Sequence, residues 1–155
     1  MANENKKDFN AMMNNNKNMP KIVQLDDNAS KKWGGKSMII APPLYYNDII
    51  KKIPLGKLTT TDLIRKQIAK SNNTDITCPL TAGIFINIVA WASYQRDKDI
   101  TPYWRVLKTN GELNPKFPEG FMLQKKKLEA EGFTILNKGK SNIKYYVKDY
   151  EKFCI

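Results

Sequence analysis

The chain has 155 residues, enough for one domain with a core of its own. It carries 26 lysines and arginines against 15 aspartates and glutamates, which gives a net charge of +11. A basic excess of this size favours a polyanionic partner such as nucleic acid, although lysines that only keep a protein soluble would give the same count. The sequence contains no histidine, which excludes histidine-based catalytic triads and histidine-ligated metal sites.

The cysteines and the apolar segments indicate in which cellular compartment the protein is expected. Cys78 and Cys154 lie far apart and match no metal-ligand spacing, so we expect no metal and no other cofactor. Two cysteines so placed are typical of a protein in a reducing environment, and we expect it to be cytosolic. The first residues contain no apolar run of the kind that forms a secretory signal. The longest apolar stretch, around residues 82–92, is interrupted by Asn87 and is too short to span a bilayer, so no membrane contact is expected.

Residues 1–36 are predicted to be a flexible N-terminal tail, because the asparagine-rich stretch FNAMMNNNKNMP has few residues that form a core. Residues 37–155 are predicted to form the folded domain. This domain begins with SMIIAPP, a short strand or extended segment that two prolines end. It continues with LYYNDIIKKIP, a short amphipathic helix that ends at Pro54.

The middle of the chain predicts two helices joined by a short connection. In the first, KLTTTDLIRKQIAKSNN, Thr60 or Thr61 caps the N-terminus and Asp62 interacts favourably with the helix dipole. The second, LTAGIFINIVAWASYQRD, follows Pro79, a residue favoured in the first turn. It is apolar enough to be the buried central helix. The pair fits a helix-turn-helix.

The C-terminal third predicts one more helix and a hairpin. PEGFMLQKKKLEAEGF has the apolar spacing of a helix that ends at Gly132. In FTILNKGKSNIKYYV, two β-type runs flank a basic Lys-Gly-Lys turn. The predicted fold class is therefore α+β: a winged helix-turn-helix DNA-binding domain with a C-terminal β-hairpin wing.

Between the helix pair and this last helix lies ITPYWRVLKTNGELNP, residues 100–115, in which Tyr103 and Trp104 stand next to each other. Two large rings in a short loop-like segment fit a buried strand. They fit equally a surface that receives a flat ligand such as a nucleobase.

About half of the chain, from Tyr46 to Gly132, resembles the DNA-binding domain of the alkylguanine-DNA alkyltransferases. The resemblance rests on three phrases that follow the family's order and spacing: IPLGKLTT, ITPYWRVLKTNGEL and QKKKLEAEG. They match the family patterns IP-x-G-x-V-T-T-Y, I-P-C-H-R-V followed by a glycine, and a helix that ends L-L-x-x-E-G.

The departures from these patterns bear on function. The family's nucleophilic cysteine aligns with Tyr103 and its proton-relaying histidine with Trp104, so the thiolate that alkyl transfer requires is absent there. Its tyrosine after T-T aligns with Thr61, and its base-extruding arginine aligns near Thr81. The resemblance implies an alkyltransferase-like member, of the kind that binds alkylated DNA without repairing it. The family's glutamate orients the histidine; here Glu131 is expected to have lost that role and to contact backbone.

The predicted base pocket consists of Pro102, Tyr103, Trp104 and Arg105. In it the two rings either stack on an extruded base or fill the vacated pocket as core residues, and Arg105 either holds a phosphate or is structural. The plainer alternatives for the DNA contacts are a purely structural central helix and a solvated lysine face. The polar and basic residues predicted to contact DNA are Lys57, Thr59, Thr60, Thr61, Thr81, Asn87, Arg96, Lys125, Lys138 and Lys140.

The expected function is non-catalytic binding of double-stranded DNA, with recognition of alkylated guanine, by a monomer that works alongside repair proteins. Two alternatives stay open. One is a winged-helix interaction module or transcription regulator without lesion recognition. The other is an enzyme of another kind, in which Tyr103 acts as an acid with Glu131 as its carboxylate partner.

Overall fold

A computed structural model describes residues 7–155 as a mixture of helices and small sheets, which confirms the α+β class. None of the described helices is long and apolar enough to cross a membrane. The helices and strands of the described part are α1 (Phe9–Met13), β1 (Lys21–Gln24), α2 (Asp27–Trp33), β2 (Ser37–Ile40), α3 (Pro43–Lys51), β3 (Thr59–Thr60), α4 (Thr61–Ser71), β4 (Ile76–Thr77), α5 (Pro79–Gln95), β5 (Val106–Leu107), α6 (Phe121–Ala130), β6 (Ile135–Lys138) and β7 (Lys144–Val147).

The N-terminal segment differs from the predicted flexible tail, whose first six residues lie outside the described part. Phe9 and Met13, one helical turn apart in α1, are 5% and 6% exposed, and the Phe9 ring stacks on Trp91 of α5 at 5.5 Å between centroids. β1 then pairs antiparallel with β2, placing Lys21 opposite Ile40. The few apolar residues of this polar stretch are therefore spaced so that they pack on the central helix, which composition alone does not reveal.

The predicted helix pair is confirmed. The Thr60 hydroxyl caps α4 by accepting a hydrogen bond from the Leu63 N–H at 3.4 Å, and Pro79 occupies the first turn of α5. α5 is buried along most of its length because α1 and α3 pack on different sides of it. The helix is thus the centre of the main hydrophobic core.

α6 and the hairpin form the C-terminal part. α6 ends in a Schellman motif, in which the N–H of Phe133 donates to the Leu128 carbonyl at 3.1 Å and the N–H of Gly132 donates to the Glu129 carbonyl at 3.0 Å. Gly132 has φ +96°, a conformation that favours glycine. β6 and β7 pair antiparallel, as predicted, with Ile135 opposite Val147.

The segment with the two rings is neither a loop nor a strand. Tyr103–Arg105 is a single 3-10 turn, followed by β5, which pairs parallel with β3. Trp104 packs against both hydrophobic clusters: the one around α5, and a second formed by α6, β5 and the hairpin. This turn therefore joins the two halves of the core.

We expect Phe9→Ala to lower the free energy of unfolding by about 3 kcal/mol, because it removes a buried ring that stacks on Trp91. Urea unfolding followed by tryptophan emission measures this. Met12→Ala, in the same helix but 38% exposed, is the matched control and should cost less than about 1 kcal/mol. Equal, small losses in the two variants would mean that α1 does not dock on α5.

Candidate nucleic-acid interface

Glu131, at the end of α6, holds the 3-10 turn in place. Its carboxylate accepts hydrogen bonds from Trp104 Nε1–H at 2.6 Å and from Arg105 Nε–H at 3.0 Å. It also accepts one from the Gly56 N–H at 3.3 Å. Arg105 donates in addition to the Ile53 carbonyl at 2.7 Å. One carboxylate therefore ties α6 and the 3-10 turn to the turn after Ile53.

This contact corrects the expectation for Glu131, which binds a side chain, that of Trp104, as well as backbone. The indole N–H is a hydrogen-bond donor, so a tryptophan can satisfy the carboxylate at this position. Arg105 donates hydrogen bonds to Glu131 and to the Ile53 carbonyl, so its role in the structure is to hold these segments together. Arg105 and Glu131 are only 13% and 8% exposed, so neither is free to contact a phosphate.

The pKa of Glu131 is the balance of opposing effects. Burial alone raises it, while the hydrogen bonds from Trp104, Arg105 and the Gly56 N–H lower it, and the net result is a pKa below the ordinary value of 4.5. Glu131 is therefore a carboxylate at neutral pH. It acts as a fixed acceptor and not as a proton donor.

Tyr103 is enclosed in the core and is 2% exposed. Its ring makes edge contacts with Trp104 and Phe117, each at 5.4 Å between centroids. Its hydroxyl is buried and has no hydrogen-bond partner among residues 7–155, and burial raises its pKa. Tyr103 thus fills the interior and offers no face on which a base could stack.

The same geometry disfavours an enzyme that uses Tyr103 as an acid. Glu131, its expected partner, is hydrogen-bonded to Trp104 and Arg105 instead. A phenol with a raised pKa and no partner is a poor proton donor near neutral pH. The described residues also contain no cluster of three or more histidine, cysteine or acidic side chains that could hold a metal ion.

A cavity of about 270 Å³ lies at the outer side of the two rings. Leu123 and Lys127 line it together with Tyr103 and Trp104. Lys127 Nζ lies 4.5 Å from the centre of the Trp104 ring, in a cation–π position over the indole. Trp104 is already held on its edge by Glu131 and on its face by this lysine. The predicted base pocket is therefore largely occupied by the protein itself.

A larger cavity, of about 620 Å³, opens beside the N-terminal half of α5. α4 contributes Thr61 and Arg65, and α5 contributes Gly83 and Asn87. The segment 108–116 forms the opposite wall. Three cations and one carboxylate face this cavity: Arg65, Lys108, Lys116 and Glu112.

The wall formed by residues 108–116 is held from behind. The Leu113 N–H donates to the Tyr145 carbonyl of the hairpin, and the Asn114 N–H donates to the Gln124 side-chain oxygen, at 2.9 and 2.8 Å. Gln124, fully buried in α6, also donates to the carbonyls of Trp104 and Val106. The cavity wall and the 3-10 turn are thus positioned by the same side chain.

Of the predicted DNA contacts, Thr61 and Asn87 lie in the large cavity. Thr61 faces Thr109 across its edge, with 3.5 Å between the two hydroxyl oxygens. Asn87 has a buried side-chain oxygen without a partner among the described residues. Its amide is therefore available to a ligand, since buried polar groups in folded proteins normally have a partner.

The other predicted threonines have different surroundings. Thr59 and Thr60 are buried, at 4% and 2% exposure, and Thr60 is engaged in capping α4. The Thr81 hydroxyl donates to the Cys78 carbonyl one turn earlier at 3.4 Å. The sequence pattern could not distinguish these threonines from Thr61, because all lie near a helix N-terminus.

The predicted basic residues are scattered over the surface. The Arg96 guanidinium donates to the Asp99 carbonyl, Thr101 and Asn10, so it fastens the loop after α5 to α1. Lys125 pairs with Glu129 at 3.0 Å within α6. Three exposed lysines remain: Lys57 in the turn before β3, Lys138 over the Tyr146 ring at the end of β6, and Lys140 in the hairpin turn. The structure does not bring them into the large cavity.

Sequence reasoning missed the cationic residues of the large cavity. Arg65 and Lys116 have no ion-pair partner in the part of the chain that the structure describes, and Lys108 reaches Glu112 only at 3.7 Å. The sequence did contain one indication that Arg65 belongs to the site. Arg65 follows Thr61 by four residues and therefore lies on the same face of the helix. The positions of Lys108 and Lys116 follow from the path of their loop, which the sequence pattern does not give.

No family model matches the chain, and no curated protein matches it either. Solved structures do match, and two of them are alkyltransferase-like complexes with DNA. The crystal structure of S. pombe Atl1 in complex with damaged DNA containing O6-carboxymethylguanine has a TM-score of 0.50 at 22% identity, over 72% of this chain and 93% of Atl1. The crystal structure of S. pombe ATL in complex with DNA has a TM-score of 0.51 at 20% identity, over 72% and 94%.

The chain has the Atl1 fold. Both structural neighbours are alkyltransferase-like proteins, in agreement with the family that the sequence resembles. The match covers nearly the whole of each neighbour. The 28% of this chain outside the match is additional to the Atl1 fold.

We expect Glu131→Gln to cost about 2–3 kcal/mol of unfolding free energy, because it leaves the largely enclosed Arg105 without its anion. Glu129→Gln is the matched control in the same helix: its pair with Lys125 is partly exposed and should cost less than about 0.5 kcal/mol. Urea unfolding with circular dichroism separates the two. Similar losses would show that the Glu131 contacts contribute little to stability.

The same pair predicts a pH dependence. The pKa of Glu131 is lower in the folded state than its ordinary value of 4.5, so its stabilisation is present above that pH and is lost as the pH falls through the folded-state pKa. The stability difference between wild type and Glu131→Gln should therefore be constant from pH 5 to 7 and shrink below about pH 4.5. A difference that grows on acidification would contradict this account.

Proposed function

We propose that this protein binds double-stranded DNA and recognises alkylated bases without transferring the alkyl group. The observation that carries the proposal is the large cationic cavity beside α5, in a fold shared with a protein whose structure contains damaged DNA with O6-carboxymethylguanine. Its lining combines cations with polar and small residues, which suits a nucleotide better than an apolar ligand.

The side chains at the positions that the resemblance aligns with the reactive pair support the absence of alkyl transfer. Tyr103 and Trp104 carry no thiol, and both are engaged in the interior. The two cysteines lie elsewhere: Cys78 is buried before α5, and Cys154 lies in the C-terminal segment, where burial raises its pKa. A raised pKa disfavours the thiolate that would attack an alkyl group. A separate repair activity must then remove the lesion, and we propose that this protein acts as a monomer that marks it.

We assign roles to the residues of the cavity on this basis. At about 620 Å³ it can take a nucleobase with a substituent. Arg65 and Lys116 are placed to neutralise phosphates at its rim, and the Asn87 amide can hydrogen-bond to a base edge inside it. The hairpin turn with Lys138 and Lys140 acts as the wing of a winged helix-turn-helix and adds phosphate contacts.

A second candidate is favoured by the exposed apolar side chains of α5. Leu80 and Ile84 are 67% and 58% exposed near the start of the helix, where a helix that reads base edges usually presents polar groups. A winged-helix interaction module or transcription regulator would present such a surface to another protein. In that case, plain and alkylated duplexes would bind equally or not at all.

Fluorescence anisotropy with two labelled duplexes, one plain and one containing a 6-O-methylguanine, tests the proposal at two salt concentrations. We expect tighter binding to the alkylated duplex and a steep loss of affinity with salt. The intact mass of the protein should be unchanged after incubation. Equal affinities would favour the regulator, and a mass increase of one methyl group would show that transfer does occur.

The cationic rim gives a sharper prediction. Arg65→Ala and Lys116→Ala should each weaken binding to both duplexes by a similar factor and reduce the slope of log K against log[salt] by about 1. Lys31→Ala, in α2 and outside the cavity lining, is the control and should leave the slope unchanged. If all three variants behave alike, the cavity rim does not contact phosphates.

A further inference from the structure

One face of α5 is unlike the rest of this buried helix. Leu80, Gly83, Ile84 and Asn87 are spaced i, i+3, i+4 and i+7 and therefore share a side of the helix. Leu80 and Ile84 are 67% and 58% exposed, whereas the neighbouring Ala82 and Ile86 are 1% exposed. The face thus presents two large aliphatic side chains to solvent, one helical turn apart.

Gly83 lies between these two side chains and has no structural reason to be glycine. A Cβ built on it meets no atom within 4 Å, and its φ is not in the left-handed region. Glycine is among the least favourable residues in a helix interior, so alanine at this position would make the helix more stable if nothing bound there. A glycine without internal neighbours is typical of a place where another molecule approaches the backbone closely.

The surroundings of this face indicate which molecule that is. Gly83 and Asn87 line the large cavity, with Arg65 and Lys116 at its rim. A second cavity of about 220 Å³ adjoins it, shares Gly83 and Asn87, and adds Lys7. Cations flank the apolar pair on both sides, which is complementary to a nucleic acid strand. A protein interface typically uses about 20–30 residues a side, so Leu80 and Ile84 could form only a small part of one.

We propose that Leu80 and Ile84 form a wedge that enters the base stack of a bound duplex, while Gly83 lets the DNA strand lie against the helix backbone between them. Apolar side chains inserted between base steps unstack them and kink the duplex. The base freed in this way enters the large cavity, where the Asn87 amide meets its edge. The proposal rests on the proposed function and adds to it the means by which the base is freed.

The test uses duplexes that carry 2-aminopurine beside the 6-O-methylguanine, since 2-aminopurine emission rises when its neighbour unstacks. Wild-type protein should raise the emission severalfold. The double variant Leu80→Ala, Ile84→Ala should lose most of this rise and bind the alkylated duplex roughly tenfold more weakly, with affinity for plain duplex changed less. Ile22→Ala, in β1 and 53% exposed, is the matched control and should behave as wild type.

Gly83→Ala separates binding from folding. Because a Cβ fits there and alanine favours the helix, the melting temperature should rise by roughly 2–4 °C. The added methyl group should nevertheless weaken DNA binding roughly tenfold, since it holds the strand away from the helix. A variant that is more stable and binds as wild type would overturn the close approach.

The two levels of the proposal fail in different ways. If wild-type protein binds duplexes with steep salt dependence while the wedge variants match Ile22→Ala in emission and affinity, the wedge is wrong and the proposed function stands. If wild-type protein binds neither duplex, both are wrong. In that case the apolar face belongs to a protein interface.

Discussion

The Glu131 carboxylate is the contact on which the rest of the structure depends. It joins the end of α6 to Trp104 and Arg105, and through the Gly56 N–H to the turn after Ile53. Trp104 in turn packs against both hydrophobic clusters. A charged group in so enclosed a place is stable only because each of its oxygens is hydrogen-bonded. The two halves of the domain are therefore fixed relative to each other by polar contacts at the centre as well as by apolar packing.

This constraint explains where a ligand can bind. Tyr103 is buried, and Trp104 is held by Glu131 and Lys127. The space that remains lies beside the N-terminal half of α5, between α4 and residues 108–116. A filled interior at Tyr103 and Trp104 and an open, base-sized cavity are thus compatible, because the two regions adjoin different turns of the central helix.

The local structure could be predicted from the sequence, and the long-range contacts could not. The Thr60 cap, Pro79 at the start of α5 and Gly132 after α6 are signals confined to a few residues, and each was correct. The docking of Phe9 on Trp91 joins residues far apart in the sequence, and the polar composition around Phe9 concealed it. The same holds for the candidate site. Thr61 and Asn87 were identified as polar residues on two helices, whereas Lys108 and Lys116 reach the cavity only through the path of their loop.

The central claim is that a base is received in the cavity beside α5 and not between Tyr103 and Trp104. Two-dimensional NMR of the labelled protein, titrated with a duplex containing 6-O-methylguanine, tests this most directly. The account predicts large shifts for the Gly83 backbone amide and the Asn87 side-chain amide, with the Trp104 indole N–H signal nearly unchanged because it stays bonded to Glu131. Large shifts of the indole signal, with Gly83 and Asn87 unaffected, would place the base against the two rings and contradict the account.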